Sequence, residues 1–286
     1  MLRFSLFYLR TMLSVSQLYI YPIKSLGGIA LNKAQVTDRG FQYDRRWMLV
    51  DENNQFLTQR IFPQMALLQV QVKEDSLLVQ HKKDGSSINV PFQPLGAAYK
   101  VQVWSDVCKG IEVSTQINKW FSDMLLVKCK LMYMPDSTKR RVDTRYASHK
   151  EITSFSDGYP FLLIGQASLD DLNNRLEEPL PMNRFRPSIV AQGSAPFEED
   201  EWAHFRINQI DFYGVKLCSR CVITTINQDE ATKGKEPLHT LATYRMFQNK
   251  IYFGQNLLQR GEGVISIGDA IEVKERKKAR FVYSLV

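Results

Sequence analysis

The first half of the chain alternates short apolar runs with turn-forming residues, a pattern typical of β-strands. Residues 15–23 are aromatic and β-branched, and a Gly27-Gly28 turn follows them. A hairpin is predicted over residues 47–50 and 55–58, and further strands over residues 67–72, 77–80, 88–90 and 99–104. Many short strands separated by turns predict a barrel or a curled sheet.

Helical spacing of apolar residues occurs at two places. Ser114-Thr115 can cap a helix whose apolar positions are 117, 120, 121, 124 and 125, and Ser168 precedes apolar positions 169, 172 and 176. Beyond residue 150, strands are predicted over residues 188–191, 205–212, 215–217, 222–226 and 264–273. We therefore expect a mainly β fold with a few packing helices.

Composition places the chain among folded globular proteins. Of 286 residues, 44% are hydrophobic and 23% are charged, which excludes a disordered, collagen-like or coiled-coil chain. The 37 Lys and Arg against 30 Asp and Glu give a net charge of +7, which suits an anionic ligand or partner but is too small to indicate nucleic acid. Four cysteines do not make a disulfide framework, so a reducing, cytoplasmic location is expected.

The N-terminal residues 1–11 are apolar but contain Arg3 and Arg10. A signal peptide needs an uninterrupted apolar run and a small-residue cleavage site, and neither is found here. We expect a short tail with Met12 as the functional start, and no run of the sequence is long and apolar enough to span a membrane.

The closest pair of cysteines is Cys218 and Cys221, with Ser219 and Arg220 between them. A structural zinc site needs about four ligands, and the remaining cysteines and histidines lack such spacing. A redox CxxC site begins a helix, whereas residues 222–226 are β-branched and predict a strand. Cys221 is thus expected at a strand start, beside a guanidinium that favours the metal-binding thiolate. The pair alone still favours the alternative of a small buried hydrophobic residue.

Basic residues cluster at three predicted strand ends. Lys24 and Ser25 precede two glycines, Arg45 follows Asp44 just before a strand, and Arg186 enters the strand over residues 188–191. Ammonium, guanidinium and exposed backbone N–H groups together suit a phosphate-bearing ligand. A fourth basic segment, residues 139–150, is either a linker between two halves or a wall of an anion site.

Seven motifs in order give the chain a specific resemblance. It resembles MOSC-domain proteins with an N-terminal β-barrel half, a group that includes bacterial YcbX-type proteins and the mitochondrial amidoxime-reducing component. The motifs are YPIKS at 21–25, DRRWMLVD at 44–51, PFLLIGQASLDDLN at 160–173, NRFRP at 183–187, CSRCVITT at 218–225, KEPLHTLATYR at 235–245 and FGQN at 253–256. The resemblance implies an N-terminal MOSC β-barrel domain over residues 12–135 and a MOSC domain over 140–275, with tails at 1–11 and 276–286.

The resemblance also implies a molybdenum cofactor, a phosphorylated pterin whose sulfur atoms bind the metal. The residue matching the family's protein ligand to the metal is Cys221, which is also expected to be catalytic, and Asp157 matches an acidic residue near the metal. Expected cofactor-binding residues are Lys24, Ser25, Arg45, Gly158, Tyr159, Arg186 and Ser188. Gly158 and Tyr159 replace small hydroxyl residues of the mitochondrial proteins, so backbone contact is expected there, and Ser188 stands where Asn is frequent. Pyridoxal phosphate binding is a further expectation.

The implied function is reduction of small N-hydroxylated compounds. Asp157 is the candidate for proton relay, and a separate redox protein is expected to supply electrons, since the sequence has no glycine-rich dinucleotide fingerprint and few cysteines. The basic residues 274–280 suggest that this donor is acidic. Two alternatives stay open: a non-catalytic carrier of the cofactor or of sulfur, and a barrel that binds another phosphorylated ligand.

Overall fold

The computed structural model describes residues 12–147, 149–278 and 280–281. Turn residues interrupt the apolar runs every few positions, so the strands are short and numerous. In the first half they are β1 (Ser14–Ile20), β2 (Ile29–Leu31), β3 (Lys33–Thr37), β4 (Gly40–Phe41), β5 (Trp47–Val50), β6 (Leu68–Val72), β7 (Ser76–His81), β8 (Ser87–Pro91), β9 (Ala98–Val103), β10 (Asp106–Glu112) and β11 (Lys130–Tyr133).

The second half continues in the same way. Its strands are β12 (Arg140–Arg141), β13 (Ile152–Thr153), β14 (Phe161–Gly165), β15 (Ile189–Gln192), β16 (Trp202–Ile207), β17 (Ile210–Ser219), β18 (Met246–Phe247), β19 (Lys250–Arg260), β20 (Gly263–Ser266) and β21 (Ile271–Arg276). The α-helices of the described residues are α1 (Thr115–Leu125), α2 (Gln166–Asn173) and α3 (Leu238–Ala242). The prediction of a mainly β fold with a few packing helices is confirmed.

The largest sheet has nine strands and joins the two ends of the sequence. Its order is β2-β1-β15-β14-β19-β17-β16-β21, with β18 paired to β19. β1 runs antiparallel to β15, with Leu18 opposite Ile189, and β20 pairs with β3 in a separate sheet. Strands from the start of the chain are therefore built into sheets that otherwise come from its second half.

Smaller sheets complete the first half. β5, β11, β10 and β9 form one sheet, and β6, β7 and β8 form another. Helix α1 packs here as predicted: the Ile117 backbone N–H donates to Ser114 Oγ at 3.2 Å, which caps the helix, and Ile117, Phe121 and Leu125 are buried. Burial of a side chain such as Phe121 contributes about 1.5–3 kcal/mol.

The residues after Cys221 differ from the prediction. Val222–Thr225 is a 3₁₀ helix, not the expected strand, and Cys221 follows the end of β17. The hydroxyl of Thr224 donates to the Cys221 carbonyl at 3.0 Å, and that of Thr225 donates to the Val222 carbonyl at 2.8 Å. Such local bonds favour a turn over a strand even in a β-branched run.

Three other boundaries are corrected. The predicted strand over residues 205–212 is divided between β16 and β17, with Asn208 at φ 55°, and the one over 264–273 is divided at Gly268, with φ +92°. The C-terminal tail was expected to begin at residue 276. In the structure Arg276 is still in β21 and forms ion pairs with Glu198 and Glu201. The expected tail over residues 1–11 lies outside the described residues.

The helices in the second half also differ in detail. α2 begins at Gln166, so Ser168, which precedes the apolar positions in the sequence, lies inside the helix, and its hydroxyl lies 2.7 Å from Glu199 Oε1. α3 was not predicted, because only five residues form it and no periodic pattern can show in so short a segment. No helix among the described residues has the length and apolar character needed to cross a bilayer.

Candidate functional site

The structure brings all the predicted site residues to one cavity. They come from loops at the ends of strands in both halves of the chain, and the cavity is also lined by Cys218, Ser219, Arg220 and Asn256. The predicted residues in its wall are Lys24, Ser25, Arg45, Asp157, Gly158, Tyr159, Arg186, Ser188 and Cys221. Their roles remain predictions.

Lys24 and Asp157 form an ion pair in the cavity wall. Lys24 is buried, and its Nζ lies 2.6 Å from Asp157 Oδ1 and 2.8 Å from the Phe155 carbonyl oxygen. Burial lowers the pKa of Lys24 to about 8, against the opposing effect of Asp157. Desolvation raises the pKa of Asp157, but the charges of Lys24 and Arg60 outweigh it and hold that pKa well below its usual range. Asp157 is therefore an ionised carboxylate at neutral pH.

Arg45 and Arg186 both stack on the ring of Tyr21. The guanidinium carbons lie 4.3 Å (Arg45) and 4.2 Å (Arg186) from the ring centroid. Arg45 is anchored by Asp44 at 2.6 Å, as the sequence suggested. The Arg186 guanidinium donates no hydrogen bond to any residue in the described part of the chain, and burial lowers its pKa to about 10. A partly buried cation with free donors is suited to an anionic ligand.

Three of the site residues have backbone conformations that favour glycine. The φ angles of Ser25, Arg45 and Arg186 are 68°, 50° and 55°. Such left-handed conformations cost of order 1 kcal/mol for residues with a Cβ, and they persist where the surroundings fix them. Hydrogen bonds fix two of these residues: the Arg45 amide donates to the Tyr21 carbonyl at 3.0 Å, and Gln59 Nε2 donates to the Ser25 carbonyl at 2.7 Å. The protein's own hydrogen bonds thus hold these two loops in shape.

The guanidinium next to Cys221 is not the one that the sequence suggested. Arg220 points to the other cysteine, with Nη1 2.9 Å from Cys218 Sγ, and its Nη2 donates to the Phe185 carbonyl at 2.7 Å. Cys221 is contacted by Arg60, whose Nε and Nη2 each lie 3.4 Å from Sγ. Burial raises the pKa of Cys218 despite Arg220, so this thiol stays protonated at neutral pH.

Sequence reasoning missed Arg60 and Trp104. Arg60 Nη2 lies 3.5 Å from Asp157 Oδ2, and Trp104 Nε1 donates to Asp157 Oδ1 at 3.2 Å. The Arg60 guanidinium stacks on the Trp104 ring at 4.4 Å from its centroid. Arg60 is a single arginine after Thr58 and Gln59, and Trp104 ends a predicted strand, so neither showed a local pattern typical of a site.

The basic segment over residues 139–150 supports the site from behind. Arg140 is buried, and its guanidinium donates to the carbonyls of Ser154, Ser156 and Asp157 at 2.9, 2.6 and 3.2 Å. It is paired with Asp106 at 2.7 Å. None of the described residues of this segment lines the cavity, so it is not a wall of the site; Arg140 fixes the loop that carries Asp157.

The remaining predicted residues contribute differently. A Cβ at Gly158 would meet no atom within 4 Å, so space does not require glycine there. The Tyr159 ring packs edge-on against Tyr146, with centroids 6.0 Å apart. Ser188 is buried, and its hydroxyl accepts a hydrogen bond from the Leu162 amide at 3.3 Å, so it also ties β14 to the loop of Arg186.

Comparison with known proteins gives two family matches. Residues 12–128 match the MOSC N-terminal beta barrel domain, and residues 150–272 match the MOSC domain. These matched ranges fall within the two expected domains, although sheets of the structure join strands from both.

Three curated relatives illustrate the similarity. The chain is 30% identical to mitochondrial amidoxime-reducing component 1 of Mus musculus, over 90% of this chain and 81% of that protein. It is also 30% identical to the Homo sapiens protein of the same name, over 90% and 82%. Molybdenum cofactor sulfurase of Oryza sativa subsp. japonica is 29% identical over 84% of this chain, which spans only 32% of that protein. Neither pyridoxal phosphate binding nor a cytoplasmic location gains support from these comparisons.

Proposed function

Because the chain belongs to the family of MOSC proteins that carry an N-terminal MOSC β-barrel domain, we propose that it is a molybdenum-cofactor-dependent oxidoreductase. Its substrates are small N-hydroxylated compounds, and its electrons come from a separate protein. One observation carries the proposal: the thiol of Cys221, the Lys24–Asp157 pair and the guanidinium of Arg186, which donates no hydrogen bond within the described part of the chain, all line a single cavity.

The residues present fit such a cofactor. A thiolate at Cys221 suits a metal that already has sulfur ligands. The guanidinium of Arg186 has free donors for a phosphate or pterin oxygen, and Arg45 presents a second cation whose position Asp44 fixes. Ser25 offers its hydroxyl from a loop held in a left-handed conformation. When bound, the cofactor supplies the two-electron redox chemistry.

The reaction balances with two electrons and two protons. An amidoxime, RC(=NOH)NH₂, takes up two electrons and two protons, its N–O bond breaks, and an amidine and one water are formed. Asp157 is ionised and its pKa lies well below the usual range, so it is a weak proton acceptor, and its part in the relay is to hold the ammonium of Lys24 in position. Lys24 Nζ, 2.6 Å away, carries the proton of the pair at neutral pH.

The net charge of the chain indicates which kind of protein donates the electrons. The net charge of +7 favours an acidic redox protein, because opposite charges steer association. The chain by itself is expected not to oxidise NADH or NADPH. Binding of the natural donor should weaken as salt rises, since exposed charges are screened beyond about 10 Å at 0.1 M salt.

The test is purification from a host that makes the cofactor, followed by metal and pterin analysis and by turnover of benzamidoxime with reduced methyl viologen. We expect molybdenum and pterin in equal amounts and formation of benzamidine. Protein without molybdenum would contradict the proposal, and so would oxidation of NADH by the isolated chain in place of an external donor.

A second candidate function is a carrier of the cofactor or of sulfur. It is favoured by the similarity to molybdenum cofactor sulfurase, which covers most of this chain. Protein that retains molybdenum but does not turn over benzamidoxime with any donor would support the carrier.

A further inference from the structure

A large aromatic side chain is exposed beside the cavity. Trp104 lies in the two-residue turn between β9 and β10, and 45% of its surface is exposed. Among the described residues, Trp104 and Phe247 are the aromatic residues with exposed side chains. Single exposed apolar residues are common on protein surfaces, so the backbone conformation and contacts of Trp104, and not its exposure alone, indicate a role.

The backbone conformation at position 104 makes tryptophan an unusual residue there. Its φ is 56°, a conformation that glycine, asparagine and aspartate adopt far more readily than tryptophan. Two-residue hairpin turns favour those small residues for the same reason. Strain of this kind concentrates at functional sites, where the side chain is needed in one place.

The ring is held in a fixed orientation. Its Nε1 donates to Asp157 Oδ1 at 3.2 Å, the Arg60 guanidinium covers it at 4.4 Å, and Phe56 packs edge-on at 5.0 Å. Gln102 Nε2 also donates to the Trp104 carbonyl at 2.7 Å. The ring is therefore preorganised, and ligand stacking on its exposed part would cost little side-chain entropy.

The ring also lies close to the reacting end of the site. One guanidinium, that of Arg60, stacks on Trp104 and contacts Cys221 Sγ at 3.4 Å. Asp157, which Trp104 contacts directly, lines the cavity. Trp104 is not in the cavity wall itself, so its ring lies at the rim, with Arg60 in contact with both the ring and the thiol of Cys221. A flat molecule on the exposed part of the ring would extend past Arg60 into the cavity.

We propose that Trp104 is a specificity-determining residue that selects planar aromatic N-hydroxylated substrates over aliphatic ones of the same chemistry. The inference rests on the proposed function. Offset or edge-on packing of an aromatic substrate against Trp104 stabilises its complex, and an aliphatic substrate gains nothing from the ring.

The test uses the cofactor-loaded protein and two amidoximes, benzamidoxime and acetamidoxime. Their dissociation constants are measured without an electron donor, and kcat and KM are then measured with reduced methyl viologen. Trp104→Gly removes the ring and suits the left-handed backbone, so the hairpin should persist. We expect benzamidoxime binding to weaken about tenfold, through Kd and KM and not kcat, and acetamidoxime to change less than about twofold.

Two further variants sharpen the result. Trp104→Phe keeps an aromatic ring and should retain most of the preference for benzamidoxime. Phe247→Ala removes another exposed aromatic side chain, whose charged neighbour is Arg280 instead of Arg60, and should leave both substrates unchanged. An equal loss for both amidoximes in Trp104→Gly would overturn the inference, because it would indicate damage to Arg60 and Asp157 and no selection.

The outcome separates the inference from the function on which it rests. Turnover of both amidoximes with a benzamidoxime preference that Trp104→Gly does not alter contradicts only the role of Trp104. Binding of benzamidoxime that depends on Trp104, in a protein that never reduces it, contradicts only the reductase.

Discussion

Arg60 Nε and Nη2 each lie 3.4 Å from Sγ of Cys221, although 161 residues separate the two in the chain. The predicted hairpin does not form as two strands: β5 pairs with β11, and residues 55–58 make only isolated bridges. Arg60 lies between β5 and β6 of the first half, and Cys221 follows β17 of the second. The proposed metal ligand is therefore contacted by a cation from the other half of the molecule. Such outer contacts orient a ligand and tune its charge, as hydrogen bonds around metal-bound residues generally do.

The two cysteines should respond very differently to substitution. Cys221→Ser is expected to abolish benzamidoxime reduction, because a hydroxyl is a poor ligand for a metal with sulfur ligands. Cys218→Ser should leave most of the activity, since Cys218 Sγ is contacted by Arg220 Nη1 at 2.9 Å and a serine hydroxyl can accept the same hydrogen bond. The measurement is turnover per molybdenum. An inactive Cys218→Ser beside an active Cys221→Ser would mean that the ligand is assigned to the wrong cysteine.

Arg186→Ala should lose cofactor more than stability. The guanidinium makes no hydrogen bond to the described residues, so its removal breaks none, whereas a lost charge-assisted bond to the cofactor costs about 1.5–3 kcal/mol, or roughly ten- to a hundredfold in affinity. Molybdenum content at limiting cofactor and the thermal midpoint are measured together. Arg175→Ala, just beyond the end of α2 and outside the cavity wall, is the control. Full molybdenum content in Arg186→Ala would remove it from the set of cofactor-binding residues.

Asp157→Asn should destabilise the fold as well as reduce activity. It leaves the ammonium of Lys24 buried without its counter-charge, at an expected cost of about 1 kcal/mol, because the Asp157 side chain is 60% exposed and solvent weakens the pair. In Lys24→Met the same Asp157→Asn change should cost much less. Urea unfolding of the wild-type protein, the two single variants and the double variant gives the coupling energy between Lys24 and Asp157. Strictly additive losses of unfolding free energy would show that these two residues do not interact.

The stability of the protein should depend on pH through Glu199. This side chain is fully buried, and burial, then the charge of Asp200, raises its pKa to about 7. The folded pKa lies above the ordinary value of 4.5, so the contribution of protonated Glu199 is present below pH 4.5 and is lost as the pH rises through 7. Glu199→Gln keeps the shape without this titration.

The comparison is made by unfolding both proteins between pH 4.5 and 8. The stability of the wild-type protein relative to Glu199→Gln should fall by about 2–3 kcal/mol over this range. A difference that stays constant with pH would show that Glu199 does not titrate in the folded protein.

The strand pattern and one helix could be predicted from the sequence because they depend on near neighbours. Alternating apolar residues and turns predicted most strands of the first half, and a serine cap with helical spacing predicted α1. The same local reasoning placed Lys24, Arg45 and Arg186 next to strands, and the structure has them in the loops that follow β1 and precede β5 and β15. The roles of the site residues came from motif order, which is also a property of sequence alone.

Which of these residues come into contact was decided only by the tertiary structure. The pairing of β1 with β15 joins residues about 170 positions apart, and it lets loops from both halves form one cavity. No local pattern encodes such a contact, because it depends on how the sheets close. For this reason Arg60 and Trp104 were missed, and Arg220 was assigned to the wrong cysteine.

The segment after Cys221 shows most directly that a sequence pattern alone does not determine local secondary structure. Its β-branched residues predict a strand, but the hydroxyls of Thr224 and Thr225 bond to carbonyls three residues back and fold it into a 3₁₀ helix. Threonine can serve either a strand or a turn, and the sequence alone does not say which bonds its hydroxyl makes. The sequence thus determined the residue types of the site, and the closure of the sheets determined which of these residues lie in contact.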